Sequence, residues 1–224
     1  MKRMQFVSRS ACTIAAPGTL LARGVACVTL FACLTAHDAI AENRAVKSLL
    51  EMRHQNVVMQ QWDLSCGAAA LATLLRFQHG EQVTEKEIAV ALMQRKEYVD
   101  NPELVQMREG FSLLDLKRNV DARGYQGNGY GKLAIKDLIA KAPIIVPINT
   151  NGYNHFVVFR GQRGDRVLLS DSAWGNRTME LSEFVDSWIE YPGLGRIGFS
   201  VQRRDAIAPP NLLAPQDSDF VMLQ

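Results

Sequence analysis

The sequence predicts an α+β fold in which helices come first along the chain and an antiparallel sheet follows. Helix-forming apolar segments occupy much of residues 66–141, and after Pro143 the pattern changes to short apolar runs separated by turn signals. The 224 residues, 47% hydrophobic and 21% charged, have the composition of a globular protein. We therefore expect one domain with helices packed on an antiparallel sheet.

Residues 1–41 are predicted to be an export signal. The leading part is basic and contains no acid, the apolar run 24–36 follows, and Ala39-Ile40-Ala41 is a small-x-small cleavage site. We expect cleavage after Ala41 and a periplasmic or secreted protein.

Two other interpretations of this segment stay open. It could form a buried or amphipathic helix, and Leu30-Phe31-Ala32-Cys33 loosely resembles a lipid-attachment box. The apolar run of about 13 residues is shorter than a bilayer-spanning helix needs, which disfavours a permanent anchor. Membrane association is therefore expected only through an uncleaved signal or lipidation at Cys33.

The cysteines point to a single thiol in the mature protein. Cys12, Cys27 and Cys33 all lie in the predicted signal, so Cys66 alone would remain. An intramolecular disulfide is then excluded, and a lone thiol is either a small buried hydrophobe or a reactive group.

The helical half begins with the clearest element. Residues 66–77 contain no polar stripe until Arg76, which predicts a buried helix capped by Asp63 or Ser65. Residues 44–60 are expected to be an extended lead-in, and residues 96–111 a loop. Further helices are predicted over residues 84–95, 112–124 and 133–141, the first two from capping-box spacings at Thr84 and Ser112 and the last closed by Pro143.

The second half predicts a meander of strands. Its apolar runs are residues 144–148, 156–159 and 167–169, separated by Asn151-Gly152 and Arg163-Gly164-Asp165. A small helix over 182–189 and a closing strand over 197–202 complete a domain spanning residues 42–205. Residues 206–224 have three prolines and no apolar period, so we expect a loosely attached tail.

Charge and motif content exclude several functions. A net charge of +2 with no basic run argues against nucleic acid as a partner. The glycine-rich residues 124–133 fail the phosphate-loop pattern at Gln126 and Leu133, so ATP binding is not supported. The histidines show no metal-ligand spacing. We expect no metal and no cofactor.

Cys66 is the candidate nucleophile. It lies at the first turn of the predicted helix, where free N–H groups and the helix dipole stabilise a thiolate. Gly67 is expected to let a substrate backbone approach closely. The alternative is that Cys66 only fills the core.

His155 and Asp171 are its candidate partners. His155 opens an apolar strand directly after the Asn151-Gly152 turn, and Asp171 ends the next strand. A hairpin would bring the carboxylate beside the imidazole, where it could fix the tautomer and stabilise the imidazolium. Each also has a structural alternative, a satisfied strand-end histidine and a loop-capping aspartate.

Together these segments resemble the C39 peptidases, the papain-like cysteine proteases of bacteriocin processing and export. The resemblance covers roughly residues 46–202. It is carried by the run from Gln60 to Leu75, by Ser112–Lys117, by Asn154–Val158 and by Leu168–Asp171, in the family's order.

The resemblance implies a papain-like fold and a role for each matched residue. Cys66 becomes the nucleophile, His155 the general base and then acid, and Asp171 the residue that orients His155. Gln60, six residues before Cys66, matches the oxyanion-hole glutamine, with Gln61 as the competing candidate. Two departures stand out: no membrane or nucleotide-binding domain accompanies these residues, and Ser172 stands where the family often has proline.

The sequence therefore predicts an exported cysteine peptidase that acts on a polypeptide, in an export or assembly system. One alternative is a peptidyl transferase of the phytochelatin-synthase sort. Another is a peptide-binding module with a vestigial triad. The candidate cleft-wall residues are the aromatic Trp62, Tyr130, Tyr153 and Trp174.

Overall fold

The computed structural model describes residues 47–223, and the predicted signal lies outside them. The helices in this range are α1 (Leu49–His54), α2 (Cys66–Thr73), α3 (Glu85–Met93), α4 (Lys96–Asp100), α5 (Glu103–Met107), α6 (Leu113–Ala122), α7 (Ile135–Lys141), α8 (Leu181–Ser187) and α9 (Asp217–Met222). The strands are β1 (Tyr125–Tyr130), β2 (Ile144–Thr150), β3 (Tyr153–Arg163), β4 (Arg166–Asp171), β5 (Gly175–Glu180), β6 (Glu190–Tyr191), β7 (Gly195–Arg196) and β8 (Gly198–Arg203).

The main sheet is antiparallel, with the strand order β1-β8-β2-β3-β4-β5. The predicted α+β class is therefore confirmed. Asn151 and Gly152, both with positive φ, form the two-residue loop between β2 and β3, so this predicted hairpin is also confirmed.

The sheet is covered on both faces, because alternate residues of its central strands enter different cores. Ile145 and Val158 pack with the helices α2, α3 and α6. Their neighbours Val146 and Val157 pack instead with α7 and α8, through a cluster that contains Phe184 and Trp188. Burial on both faces explains why β2 and β3 have nearly continuous apolar runs.

The helix signals that depended on local chemistry are confirmed. Thr84 and Ser112 each cap their helix reciprocally with the residue three positions on, Glu87 and Asp115. All of α2 is buried, and the helix continues as a π-helical turn over Leu74–Gln78.

Two expected irregular segments are helical instead. The lead-in over 44–60 contains α1, which begins with a capping box between Ser48 and Glu51. The expected loop over 96–111 contains α4 and α5, where the buried Tyr98 donates a hydrogen bond to Asp115. A single buried aromatic residue gives no periodic pattern, which is why the sequence failed to indicate α4.

Strands β1 and β5 were not predicted, since neither has apolar alternation. Strand β1 is glycine-rich and pairs along its length with β8. A Cβ at Gly127 would lie 2.8 Å from Val120 and 2.9 Å from Phe199, so this strand needs glycine in order to pack against α6 and β8.

The C-terminal residues 206–224 were expected to be loosely attached, but the structure holds the described part of this segment against the domain. Leu213 is fully buried, and its carbonyl accepts a hydrogen bond of 2.9 Å from the Arg160 Nε. Helix α9 follows, and the backbone N–H of Thr178 donates to the Leu223 carbonyl at 2.9 Å. Among the described residues of this segment, only Leu213, Phe220 and Leu223 are buried apolar residues, and their irregular spacing gave no pattern that the sequence could reveal.

Within residues 47–223, no helix combines the length and hydropathy needed to cross a bilayer.

Candidate active site

Cys66 is the first residue of α2 and only 3% exposed. Ser65 occupies the N-cap position, as one of the two predicted caps, but its hydroxyl makes no capping hydrogen bond to the helix. It donates instead to the Trp62 carbonyl at 2.7 Å and contacts the Glu85 carboxylate. The free N–H groups at the start of α2 therefore lie beside the thiol.

His155 and Asp171 meet through the β3–β4 pairing. Val157 pairs directly with Asp171, so His155, two residues earlier on the same side of β3, is a diagonal neighbour of the carboxylate. The His155 Nε2 lies 2.7 Å from the Asp171 Oδ1. Asp171 is fully buried and His155 is 5% exposed.

The other nitrogen of His155 is directed away from this carboxylate. Among the described residues, Nδ1 has no hydrogen-bond partner of good geometry. The Cys66 thiol is nonetheless near enough to act on the charge of the ring, and both residues line one cavity. The imidazole therefore lies between a carboxylate and a thiol.

Burial and charge act in opposite directions on these groups. Burial disfavours the imidazolium, but the hydrogen bond to Asp171 and the neighbouring Cys66 outweigh it and raise the pKa of His155 to about 9. Burial likewise opposes ionisation of Asp171, yet its hydrogen bond to His155 and the charges of His155 and Arg177 lower the pKa of Asp171 below its usual range. The geometry thus favours a charged imidazolium–carboxylate pair.

Arg177 is a residue of this site that the sequence did not indicate. Its guanidinium binds the Asp171 Oδ2 through Nε at 3.0 Å and Nη2 at 2.9 Å. The backbone N–H groups of Ala173 and Trp174 donate to Oδ1. The sequence around Arg177 gave little indication of this role, because the polar stretch after Asp171 resembles a loop. In the structure this stretch forms β5, which pairs with β4.

Gln60 is tied to the residue that follows Asp171. Its backbone N–H donates to the Ser172 carbonyl at 2.8 Å, and its Oε1 accepts a hydrogen bond of 2.9 Å from the Ser172 hydroxyl. The Gln60 amide also contacts the Tyr153 hydroxyl. Ser172, the departure from the family pattern, therefore orients this glutamine.

Gln61 is less suitable than Gln60 as the oxyanion-hole glutamine. Its side chain is exposed, and its backbone N–H donates to both carboxylate oxygens of Glu85.

The sequence matches the model of the peptidase C39 family over residues 54–192. This chain belongs to the peptidase C39 family. It is 37% identical over 145 residues to the "Probable functional amyloid protease FapD" of Pseudomonas aeruginosa and 34% identical to that of Pseudomonas fluorescens. The match covers 65% of this chain and 62% of each relative's length.

Solved structures agree with the fold. A double glycine motif protease from an AMS/PCAT transporter, crystallised with a leader peptide, has a TM-score of 0.52 and 25% identity, covering 66% of this chain and 90% of that one. The peptidase domain of Streptococcus ComA has a TM-score of 0.53 at 15% identity, covering 67% of this chain and all of that one. The expected papain-like C39 fold is therefore confirmed.

The cavity of this C39 domain adjoins both Cys66 and His155 and has a volume of about 320 Å³. Its lining combines apolar and polar side chains. The apolar lining includes Phe111, Leu113, Phe156, Ile189, Leu194 and Ile197, and the polar lining includes Arg108, Glu109 and Asn154. Such a cavity can hold apolar side chains of an extended or helical peptide next to the thiol.

The four aromatic candidates for the cleft wall differ in position. The Tyr153 ring is tilted relative to the His155 ring, with 5.8 Å between the ring centroids, and the Tyr153 hydroxyl donates to the Asp63 carbonyl at 3.0 Å. Trp62 and Trp174 are 46% and 69% exposed beside the site residues. Tyr130 bonds Ser200 and packs against the core cluster of α7 and α8. None of these four aromatic residues lines the cavity beside Cys66, so the predicted cleft wall is wrong for this cavity.

Gly67 also differs from its expected role. A Cβ there would lie 3.4 Å from Phe156, which lines the cavity, and 3.8 Å from the core residue Leu116. These are ordinary van der Waals distances, and Gly67 is itself buried and does not line the cavity.

Within the described part of the chain, no group of three or more His, Cys, Asp and Glu side chains is arranged to hold a metal ion.

Proposed function

We propose that this C39 protein is an exported cysteine peptidase that hydrolyses a peptide bond through Cys66, His155 and Asp171. One observation carries the proposal: three separate elements place a thiol, an imidazole and a carboxylate in order, with the imidazole bonded to the carboxylate at 2.7 Å. That order is what nucleophilic acyl transfer by a thiol requires.

In the proposed reaction, the Cys66 thiolate attacks the scissile carbonyl carbon and its electron pair forms the C–S bond. The carbonyl oxygen takes the negative charge and is held by the Gln60 amide and the Cys66 N–H. As the C–N bond breaks, His155 gives its proton to the leaving amine. His155 then takes a proton from water, which attacks the acyl-thioenzyme and releases the acid and the thiol.

Asp171 supports both proton transfers. Its bond to Nε2 leaves Nδ1 directed at the thiol, and its charge stabilises the imidazolium. Arg177 and the two N–H groups on Asp171 keep the carboxylate ionised and fixed in place.

The proposed substrate is a polypeptide handled by an export or assembly system. The relatives support this class, since one is named as a functional amyloid protease and another was crystallised with a leader peptide. If residues 1–41 are an export signal, as proposed, the enzyme hydrolyses its substrate outside the cytoplasm, in the periplasm or the medium.

The first experiment measures the rate of Cys66 alkylation by iodoacetamide against pH, with the Cys66 peptide followed by mass spectrometry. We expect fast alkylation that persists to about pH 6 and is lost in the His155→Ala variant. Slow alkylation that is unchanged by this substitution would contradict the proposal and favour the peptide-binding module.

The second experiment measures turnover of a library of peptidyl aminocoumarin amides. We expect hydrolysis by the wild type and none by Cys66→Ser. If an added amine diverts most of the acyl product from hydrolysis, the peptidyl transferase is the better description.

A further inference from the structure

The 60–66 segment carries both proposed oxyanion donors, one at each end, and residues 61–65 between them contain no helix or strand. Its N-terminal end is bound to Ser172 by the hydrogen bonds of Gln60. Its middle is held by the Tyr153 hydroxyl, which donates to the Asp63 carbonyl at 3.0 Å. Gln61 and Ser65, which adjoin the two donors, need a further attachment, because short irregular backbone has no ladder of its own to fix its conformation.

Glu85 supplies that attachment. It is the first residue of α3 and only 3% exposed. Its two carboxylate oxygens accept from the backbone N–H of Gln61 at 3.0 and 3.1 Å, and one of them also contacts the Ser65 hydroxyl. One carboxylate therefore holds the residue after Gln60 and the residue before Cys66.

The fold of α3 does not require this carboxylate. The N-terminus of the helix is already capped by the Thr84–Glu87 box, in which Glu87 accepts from the Thr84 backbone N–H at 2.7 Å and Thr84 accepts from the Glu87 N–H at 3.2 Å. The Glu85 side chain turns away from its own helix toward the 60–66 segment.

Burial of Glu85 is also costly. Among residues 47–223 it has no Lys, Arg or His within ion-pair distance, and a buried carboxylate without a cation is unfavourable unless several hydrogen bonds compensate it. In the described part of the chain, the side-chain hydrogen bonds that compensate it come from Gln61 and Ser65 of the 60–66 segment.

We infer that Glu85 is a positioning residue for the proposed peptidase, which sets the 60–66 segment so that the Gln60 amide and the Cys66 N–H converge on one oxyanion. The inference rests on the proposed function. Glu85 does not touch the cleft cavity and acts only through the segment that it binds. Displacement of an oxyanion donor by about 1 Å is enough to cost on the order of 100-fold in rate.

The inferred role of Glu85 predicts different effects on two reactions of the Cys66 thiol. Alkylation by iodoacetamide forms no oxyanion and depends on the Cys66–His155 pair, which α2 and β3 hold. Hydrolysis of a peptide amide needs the oxyanion donors as well. Loosening the 60–66 segment should therefore slow hydrolysis while leaving alkylation nearly unchanged.

The test uses variants that separate the reach of the side chain from its charge. Glu85→Asp keeps the charge but is one methylene too short to reach both Gln61 and Ser65. Glu85→Gln loses the charge but keeps an oxygen for the Gln61 N–H and an amide for the Ser65 oxygen. Glu87→Ala is the matched control, since it removes a cap from the same helix without touching the segment.

We expect kcat on the library amide that the wild type cleaves fastest to fall about 10-fold or more in Glu85→Asp. Its KM and its rate of Cys66 alkylation should stay within about twofold of wild type, and Glu85→Gln should retain most of the activity. Glu87→Ala should lower the melting temperature but change neither rate.

Three results would overturn the inference. Hydrolysis by Glu85→Asp could equal that of wild type, alkylation could fall in parallel with hydrolysis, or Glu85→Gln could lose more activity than Glu85→Asp. A wild type that cleaves no amide of the library overturns the proposed function itself, which is a distinct result, and the inference falls with it.

Discussion

At the scale of single residues, the pKa of His155 determines how the site should respond to pH. The imidazolium must be present to protonate the leaving amine, and the pKa of about 9 keeps it charged through neutral pH. We expect kcat/KM to fall as pH rises through about 9. Asp171→Asn keeps an acceptor for His155 but removes the negative charge that helps to raise this pKa, so its alkaline limb should move to lower pH. A limb that stays in place in the variant would show that another group titrates.

Arg177 offers a test of how firmly Asp171 must be held. In Arg177→Met the carboxylate loses two contacts but keeps His155 and the N–H groups of Ala173 and Trp174, so we expect kcat to fall only about 10-fold. Arg166→Met is the control, because Arg166 lies in the same pair of strands and, among residues 47–223, its side chain bonds Thr178 and not Asp171. Equal losses in the two variants would indicate a general weakening of β4 and β5.

The sequence nominated Gln60, Cys66, His155 and Asp171, and the structure brings all four together. Their catalytic roles stay predictions. Arg177 and Glu85 were missed because their importance comes from which distant groups they reach. Neither has a local pattern that distinguishes it from a surface residue.

At the scale of elements, capping motifs in the sequence predicted the helix starts that they determine. The boxes at Thr84 and Ser112 gave the starts of α3 and α6, and the same rule applied to Ser48 and Glu51 would have found α1. Strands β1 and β5 could not be found in this way. Their residues become strand only when a neighbouring strand satisfies their backbone groups.

The C-terminal segment yields a stability prediction with a matched pair. Leu213 is fully buried, whereas its neighbour Leu212 is 53% exposed. Leu213→Ala should lower the free energy of unfolding by about 3 kcal/mol, while Leu212→Ala should change it by less than about 1 kcal/mol. Urea denaturation measures both. Similar small losses would show that this segment does not belong to the cooperative unit.

At the scale of the whole molecule, the site exists only after the two halves of the chain have packed. Gln60 bonds Ser172 across 112 positions of sequence, and Tyr153 bonds Asp63 across 90. The meander and the buried helix could be predicted from periodicity. The cavity between them could not, because its shape depends on side chains from both halves.

The last prediction concerns the route of the molecule to its substrate. If residues 1–41 are an export signal, expression in a Gram-negative host should give a periplasmic product whose N-terminus is Glu42, because Ala39 and Ala41 fit the small-residue requirement of the cleavage site. Ala41→Phe should block this processing, and Cys33→Ser should leave it unchanged. Intact mass and N-terminal sequencing of each cell fraction measure the outcome. A product that begins at Cys33, carries added acyl mass and stays with the membranes until Cys33 is replaced would show the lipoprotein route. The peptidase would then act at the membrane surface.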